Sequence, residues 1–327
     1  MASLVTIFGG SGFIGRHTVR AFAKAGWRVR VAVRHPNLAN YLLPMGQVGQ
    51  IQILKTNVAN PEAIAAAVNG ADAVVNFVGI LSQGGGHQKF ADLHVEAAGE
   101  IARAAKAAGV KTLIQLSAIG ANEDSDSIYQ CTKAEGEARV REAFADATIL
   151  RPSIVFGPED KFFNKFAWIA RISPVLPLFG GGITKFQPVF VGDVAAAILK
   201  CASDASTRGK TYELCGPTVY SFKELMELIL RETGRERKRL LIPLPFFVGT
   251  LKSYFLQFLP DPLLTPDQVR MLKVDNVVQD GALTLNDLGI VPDCAEAIVP
   301  SYLWRFRPKG QYENLIAERV TGSPRVR

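Results

Sequence analysis

The stretch TIFGGSGFIGRH, residues 6–17, limits what this chain can become more than any other. It sets Gly9, Gly12 and Gly15 at three-residue spacing between a β-rich apolar run, LVTIF, and a run of helical periodicity, FIGRHTVRAFAKAG. A turn this sharp needs residues that tolerate unusual backbone angles. A diphosphate can approach such a backbone only where no Cβ intervenes, and close helix–strand packing needs a small residue. The loop ends at a helix N-terminus, where the first amides, those of Phe13, Ile14 and Gly15, are free to meet phosphate oxygens. Strand, glycine loop and helix in this order predict a dinucleotide site.

The rest of the first half keeps the same rhythm. RVRVAVR, QIQIL, ADAVVNFVG, VKTLIQLS and ATILRPSIVFG read as strands; PEAIAAAVNG, FADLHVEAAGEIARAAKAAG and IYQCTKAEGEARVREAF read as helices. Alternation of this kind implies right-handed βαβ crossovers and a parallel sheet covered on both faces. The expected fold class is α/β, a Rossmann-type doubly wound parallel sheet with a smaller mixed C-terminal domain. The dinucleotide-binding domain is expected over residues 1–155, with 186–203 rejoining it, and the smaller domain over 156–327, its tail frayed near 317–327. No internal repeat is visible.

Strand ends point to the cofactor. Sites for NAD carry an acidic residue after the second strand, against the ribose 2′-hydroxyl. Here VAVRHP puts Arg34 at that place, and Arg16 follows the last loop glycine. Two cations near the adenosine ribose favour a 2′-phosphate, hence NADP(H). Asn57 and Val58 follow the third strand, and the fourth ends in NFVG, residues 76–79, which puts Val78 and Gly79 where the cofactor passes.

In YQCTK, Tyr129 and Lys133 stand four residues apart and so share one helix face. An ammonium beside a phenol stabilises phenolate. With Ser117 at the end of the fifth strand, the pair would serve hydride transfer, Tyr129 as the proton donor or acceptor. The same face equally suits holding a nicotinamide ribose with no proton transferred.

The glycine loop, the Tyr129/Lys133 pair and the strand end LRPSIVFG resemble the short-chain dehydrogenase/reductase superfamily in its extended or atypical branch. YQCTKAEGEARVREAFADATILRPSIVFGPEDKFFNKFA and QPVFVGDVAAAI narrow this: they are similar to the NADPH-binding, dehydrogenase-like accessory subunits of respiratory complex I and their alphaproteobacterial relatives. The resemblance is strong over the first two-thirds of the chain and weaker beyond about residue 240. It implies Tyr129, Lys133 and Ser117 at the superfamily's catalytic positions and a cradle that also takes in Pro152. It further implies tightly bound NADPH and a structural or assembly role with no established turnover. LSAIG lacks the Ser-Ser/Thr run of many active members. Partners implied are other complex I subunits, at the peripheral arm and its junction with the membrane arm. The location implied is peripheral, on the cytoplasmic side of the inner membrane or the matrix side of a mitochondrial one. A free NADP-dependent reductase or epimerase is the alternative, and a nucleotide sensor a third reading.

Composition excludes little and directs some. A net charge of +7 permits an anionic partner, whether acidic protein or lipid; no basic-aromatic alternation of a nucleic-acid binder is present. The four cysteines form no C-x-x-C pair, so neither a disulfide framework nor a metal site is expected. No apolar run reaches the length of a spanning helix, and LLIPLPFFVGTLKSYFLQFLP is broken by prolines and Lys252. The chain is therefore expected to be soluble or peripheral. The aromatic runs FFNKFAWIARISPVLPLF and PFFVGTLKSYFLQFLPDPLL read mainly as core. RERKRLLIPLPFF also sets cations beside an apolar run in a way that would suit anionic headgroups.

Overall fold

The apolar runs of the first half become β1 (Leu4–Phe8), β2 (Arg28–Val33), β3 (Ile51–Lys55), β4 (Ala73–Asn76), β5 (Thr112–Leu116) and β6 (Thr148–Pro152). The computed structural model describes residues 2–83, 89–257 and 264–312. Between the strands run α1 (Phe13–Lys24), α2 (Pro61–Val68), α3 (Ala97–Ala107) and α4 (Ile128–Ala143). Two of these helices start where the residues dictate. Asn60 caps α2 ahead of Pro61, and Ser127 accepts the Gln130 amide at the head of α4.

The second half contributes short strands β7 (Val155–Phe156), β8 (Val175–Phe179), β9 (Lys185–Phe186), β10 (Val189–Phe190), β11 (Thr211–Leu214), β12 (Tyr220–Ser221) and β13 (Leu240–Leu244). Its principal helices are α5 (Phe163–Ile172), α6 (Val191–Ser203), α7 (Phe222–Glu232), α8 (Phe246–Leu256) and α9 (Pro266–Met271).

Seven strands form one sheet in the order β11-β6-β5-β4-β1-β2-β3. Every pairing in it is parallel. A parallel sheet survives only with both faces covered, and the alternation along β1 shows how. Val5 and Ile7 enter a core with Val19 and Phe22 of α1 and Val194 and Ile198 of α6. Leu4 and Phe8 enter a second core with Ile64 of α2, Ile101 of α3 and Val140 of α4. The strand order reverses between β1 and β4, so the crevice at their carboxyl ends is the expected ligand position.

Two sequence expectations change. The helix read in FADLHVEAAGEIARAAKAAG begins as a π-helical turn, Ala91–Glu96, before α3 takes over. YELCGP, expected in the smaller C-terminal domain, supplies β11, which pairs with β6 and extends the main sheet beyond the return at 186–203. The reason is local: Tyr212 and Leu214 alternate into the core beneath α1 and α6.

Elsewhere in the second half, Phe156, Phe163, Phe186 and Phe222 pack in a third core, with Phe162 and Phe166 against it. A capping box of Ser221 and Glu224 opens α7. The four cysteines are free thiols. Among the described residues no helix is long and apolar enough to cross a membrane. The tail at 317–327 lies outside the described residues.

Candidate functional site

Each glycine of the loop has a separate physical task. Gly9 turns the chain with φ at 74°, a conformation most side chains avoid. A Cβ on Gly15 would lie 2.6 Å from the Gly9 oxygen and from Gly10 Cα, so α1 can approach the loop only with glycine there. Gly10, which was not among the spaced glycines, is equally confined: its Cβ would meet Val31 Cγ1 at 2.7 Å. Gly12 caps α1 without a side chain, and the first turn holds no acidic residue. The amides of Phe13, Ile14 and Gly15 therefore face the crevice end of the helix with no intrahelical acceptor and a positive dipole.

The two cations expected near the ribose, Arg34 and Arg16, stand differently from each other. Arg34 follows β2 directly and is exposed, with no ion-pair partner among the described residues. Arg16 is engaged: its guanidinium lies 4.9 Å from the centroid of the Tyr41 ring and 3.7 Å from Glu159. Tyr41 donates its hydroxyl to the Ser11 carbonyl at 2.6 Å, so the 3-10 segment Pro36–Met45 folds back over the glycine loop. Nothing in the residues around Tyr41 pointed to this. Asn57 spends its side-chain oxygen on the Ala59 amide at 3.1 Å, a turn after β3, while Val58 packs on the second core.

The fourth strand end is organised by buried polar groups. Asn76 donates to Gln115 at 2.8 Å and accepts the Val78 amide at 2.9 Å, which fixes the NFVG bend. At Gly79 a Cβ would stand 3.3 Å from His94 Nε2 and 3.4 Å from Lys133 Nζ. Here the absent side chain leaves room beside two polar groups.

His94, which sequence reasoning passed over, lies at the centre of this wall. It is buried, and its Nε2 accepts the Ile80 amide at 3.1 Å. Its Nδ1 lies 3.1 Å from Thr132 Oγ, whose own proton has the Ile128 carbonyl as acceptor at 2.9 Å. These roles assign the proton to Nδ1. Burial, with the Lys133 ammonium adding to it, pushes the imidazole down to about 3, so it is neutral at physiological pH.

Tyr129 and Lys133 do share a face, as their spacing requires. Both are buried. Tyr129 packs edge-on against Phe90 and His94 at centroid distances of 5.8 Å and 5.4 Å. Lys133 Nζ donates to the Leu116 carbonyl at 3.1 Å and lies 5.9 Å from the Tyr129 ring centroid. Burial lowers the lysine to about 8, with Glu137 acting the other way. Burial also raises the Tyr129 phenol above its ordinary value. Ser117 follows the residue that holds Lys133, and its buried hydroxyl has no hydrogen-bond partner among the described residues. Pro152 ends β6, its carbonyl accepting the Ile119 amide at 3.0 Å.

A dinucleotide fits these residues: the loop offers free amides, Gly79 leaves space beside Lys133, and the Ser117 hydroxyl wants a partner. The NAD dependent epimerase/dehydratase family model matches residues 5–215. The chain belongs to this family, whose fold binds NAD(P). It is 34% identical over 329 residues to the mitochondrial NADH dehydrogenase [ubiquinone] 1 alpha subcomplex subunit 9 of Arabidopsis thaliana, covering 97% of this chain and 81% of that protein. It is 30% identical to the mitochondrial NADH-ubiquinone oxidoreductase 40 kDa subunit of Neurospora crassa, with 94% and 80% covered. Among solved structures, the NADPH-dependent quinone oxidoreductase QOR2 of Escherichia coli, complexed with NADPH, superposes with a TM-score of 0.73 at 22% identity, covering 92% of this chain and 99% of that one. That likeness is one of fold.

Proposed function

We propose that this protein is an NADP(H)-binding accessory subunit of respiratory complex I, with a structural or assembly role and no established turnover of its own. The relatives in Arabidopsis and Neurospora support the assembly. The observation that carries a holding role is the geometry of the Tyr129–Lys133 pair, both buried on one face of α4 beside Gly79 and Ser117. A phenol working as acid or base at neutral pH needs its pKa lowered by a nearby cation. Here the lysine amine is directed to the Leu116 carbonyl and lies 5.9 Å from the Tyr129 ring centroid, an arrangement that serves holding a ribose without requiring proton transfer.

In this reading the amides of Phe13, Ile14 and Gly15 take the diphosphate, with Gly9 and Gly12 shaping the loop. Arg34 takes the 2′-phosphate, with Arg16 stacked on Tyr41 beside it. Asn57 and Val58 border the adenine, and Val78, Gly79 and Pro152 line the passage to the nicotinamide. Lys133, Tyr129 and Ser117 hold the nicotinamide ribose. When bound, the dinucleotide would supply a hydride donor or acceptor; in this protein it serves as a structural ligand, NADPH tightly held.

The surface that faces partners is assigned to α8 and the turn before β13. Phe247, Leu251, Tyr254 and Phe255 recur on one helix face and are exposed, with Lys252 among them. Arg237 and Lys238 are exposed ahead of β13, whereas Arg235 is buried and holds the Thr233 carbonyl. This mixture suits the junction with the membrane arm and the adjoining anionic surface, on the cytoplasmic or matrix side.

Native purification from membranes tests the proposal: the protein should co-migrate with complex I subunits and release NADPH on denaturation. Recovery at full abundance as a free protein without nucleotide would refute it. The unpartnered Ser117 hydroxyl beside Tyr129 and Lys133 favours a second reading, a free NADP-dependent reductase. That reading requires steady carbonyl turnover that disappears in Tyr129→Phe.

A further inference from the structure

The helix that carries Tyr129 and Lys133 is not capped from its own neighbourhood alone. Ser127, its capping residue, gives its hydroxyl proton to Asp267 Oδ2 at 2.9 Å. The Ile128 amide donates to Asp267 Oδ1 at 2.8 Å, and the Tyr129 amide to Oδ2 at 3.1 Å. One carboxylate thus takes the two leading amides of α4 and the hydroxyl that caps it. These are charge-assisted bonds at the positive end of a helix dipole.

The Asp267 side chain is held ready for this. A capping box opens α9: Thr265 Oγ accepts the Gln268 amide at 3.2 Å, and Gln268 Oε1 accepts the Thr265 amide at 3.1 Å. Asp267 then stands in the first turn of that helix, and Arg270 lies 3.8 Å from its Oδ1.

A few residues later the same segment grips the opposite wall. Asn276 donates from Nδ2 to the Ile119 carbonyl at 3.3 Å, two residues after Ser117. Its Oδ1 accepts the Ser153 hydroxyl at 2.6 Å, directly after Pro152. Residues 265–276 therefore span the nicotinamide end of the crevice and touch every element that supplies a residue there, apart from the NFVG bend.

We propose that Asp267 is a positioning residue for Tyr129 and Lys133, and that through it residues 265–276 set how tightly the nicotinamide half of the dinucleotide is held. This rests on the NADP(H)-binding reading above. Among the described residues the segment makes no hydrogen bond or ion pair to the glycine loop or to Arg34, so in this reading the adenosine half is gripped independently of it.

Equilibrium titration with two ligands tests the proposal: NADPH, and adenosine 2′,5′-bisphosphate, which carries the adenosine half alone. In Asp267→Ala the NADPH Kd should rise about tenfold, the order expected for lost hydrogen bonds to a charged group, while the bisphosphate Kd stays within about twofold. Asp267→Asn keeps the volume and one acceptor oxygen, so it should recover part of the NADPH affinity and serves if the alanine variant folds poorly. Backbone amide exchange at residues 128–133 should quicken in both variants with no ligand present. NADPH affinity unchanged in both variants, or equal weakening of both ligands, would overturn the positioning role while leaving nucleotide binding intact. A wild-type protein that binds neither ligand would overturn the nucleotide reading, and this inference with it.

Discussion

At position 94 an imidazole is used as a neutral strut. It accepts the Ile80 amide through one nitrogen and reaches Thr132 through the other, joining the fourth strand end to α4. Protonation would destroy the acceptor and place a charge beside Lys133. Its folded pKa of about 3 lies below the ordinary 6.5, so between these values the unfolded chain binds more protons than the folded one. Stability contributed by the neutral ring is complete above pH 6.5 and is lost as pH falls toward 3. By pH 4.5 the wild type should lose on the order of 2 kcal/mol more than His94→Gln, measured by urea unfolding at pH 7.5 and 4.5. Equal losses would show that another group governs the acid limb. Nothing in the local residues announced this role, because it depends on a π-helical turn and on a partner in a distant helix. Gly9, Gly12 and Gly15 were legible for the opposite reason: their tasks are set within one loop.

Among elements, α4 is the one on which the site depends. Glu137 forms a two-pronged bond to Arg151 of β6 at 2.9 Å and 2.8 Å, Lys133 ties to Leu116 of β5, and Asp267 holds the first turn. The remaining side is closed by the backbone itself, since a Cβ on Gly136 would stand 2.0 Å from the His94 carbonyl oxygen. Neither backbone can yield without moving Tyr129 or His94. Gly136→Ala is therefore expected to lower stability by about 3 kcal/mol despite alanine's better helix propensity. Denaturant unfolding checks this, and a variant more stable than wild type would mean that the two backbones separate easily. The span and register of α4 could be read from IYQCTKAEGEARVREAF because helical periodicity is local. Its anchors could not, since they come from β5, β6 and α9.

Over the whole molecule, the sheet was the most legible part, because burial on both faces leaves continuous apolar runs. The exception was β11, whose four residues lay in a stretch expected to belong elsewhere. The aromatic second half was harder, since core and surface share one composition there: Phe163 and Phe222 are buried, Phe247 and Phe255 exposed. This exposed face gives a prediction at the same scale. Replacing Phe247 and Phe255 together by Asp should remove co-sedimentation with vesicles containing anionic lipid and leave the melting temperature within about 2 °C of wild type. Undiminished co-sedimentation of the variant, or a wild type that does not co-sediment, would overturn the assignment of this face to an anionic surface.

The bond from Asp267 to Tyr129 also carries a consequence for how the molecule comes into being. A chain synthesised from its N-terminus has the glycine loop, the seven sheet strands and α4 in hand before the carboxylate that closes the first turn of α4 exists. Contacts across such sequence separations form late and slowly. The glycine loop can therefore take its fold before residues 265–276 exist, while the first turn of α4 waits for them. On the NADP(H)-binding reading proposed above, tight retention of the dinucleotide would then mark molecules in which residues 265–276 have folded onto α4.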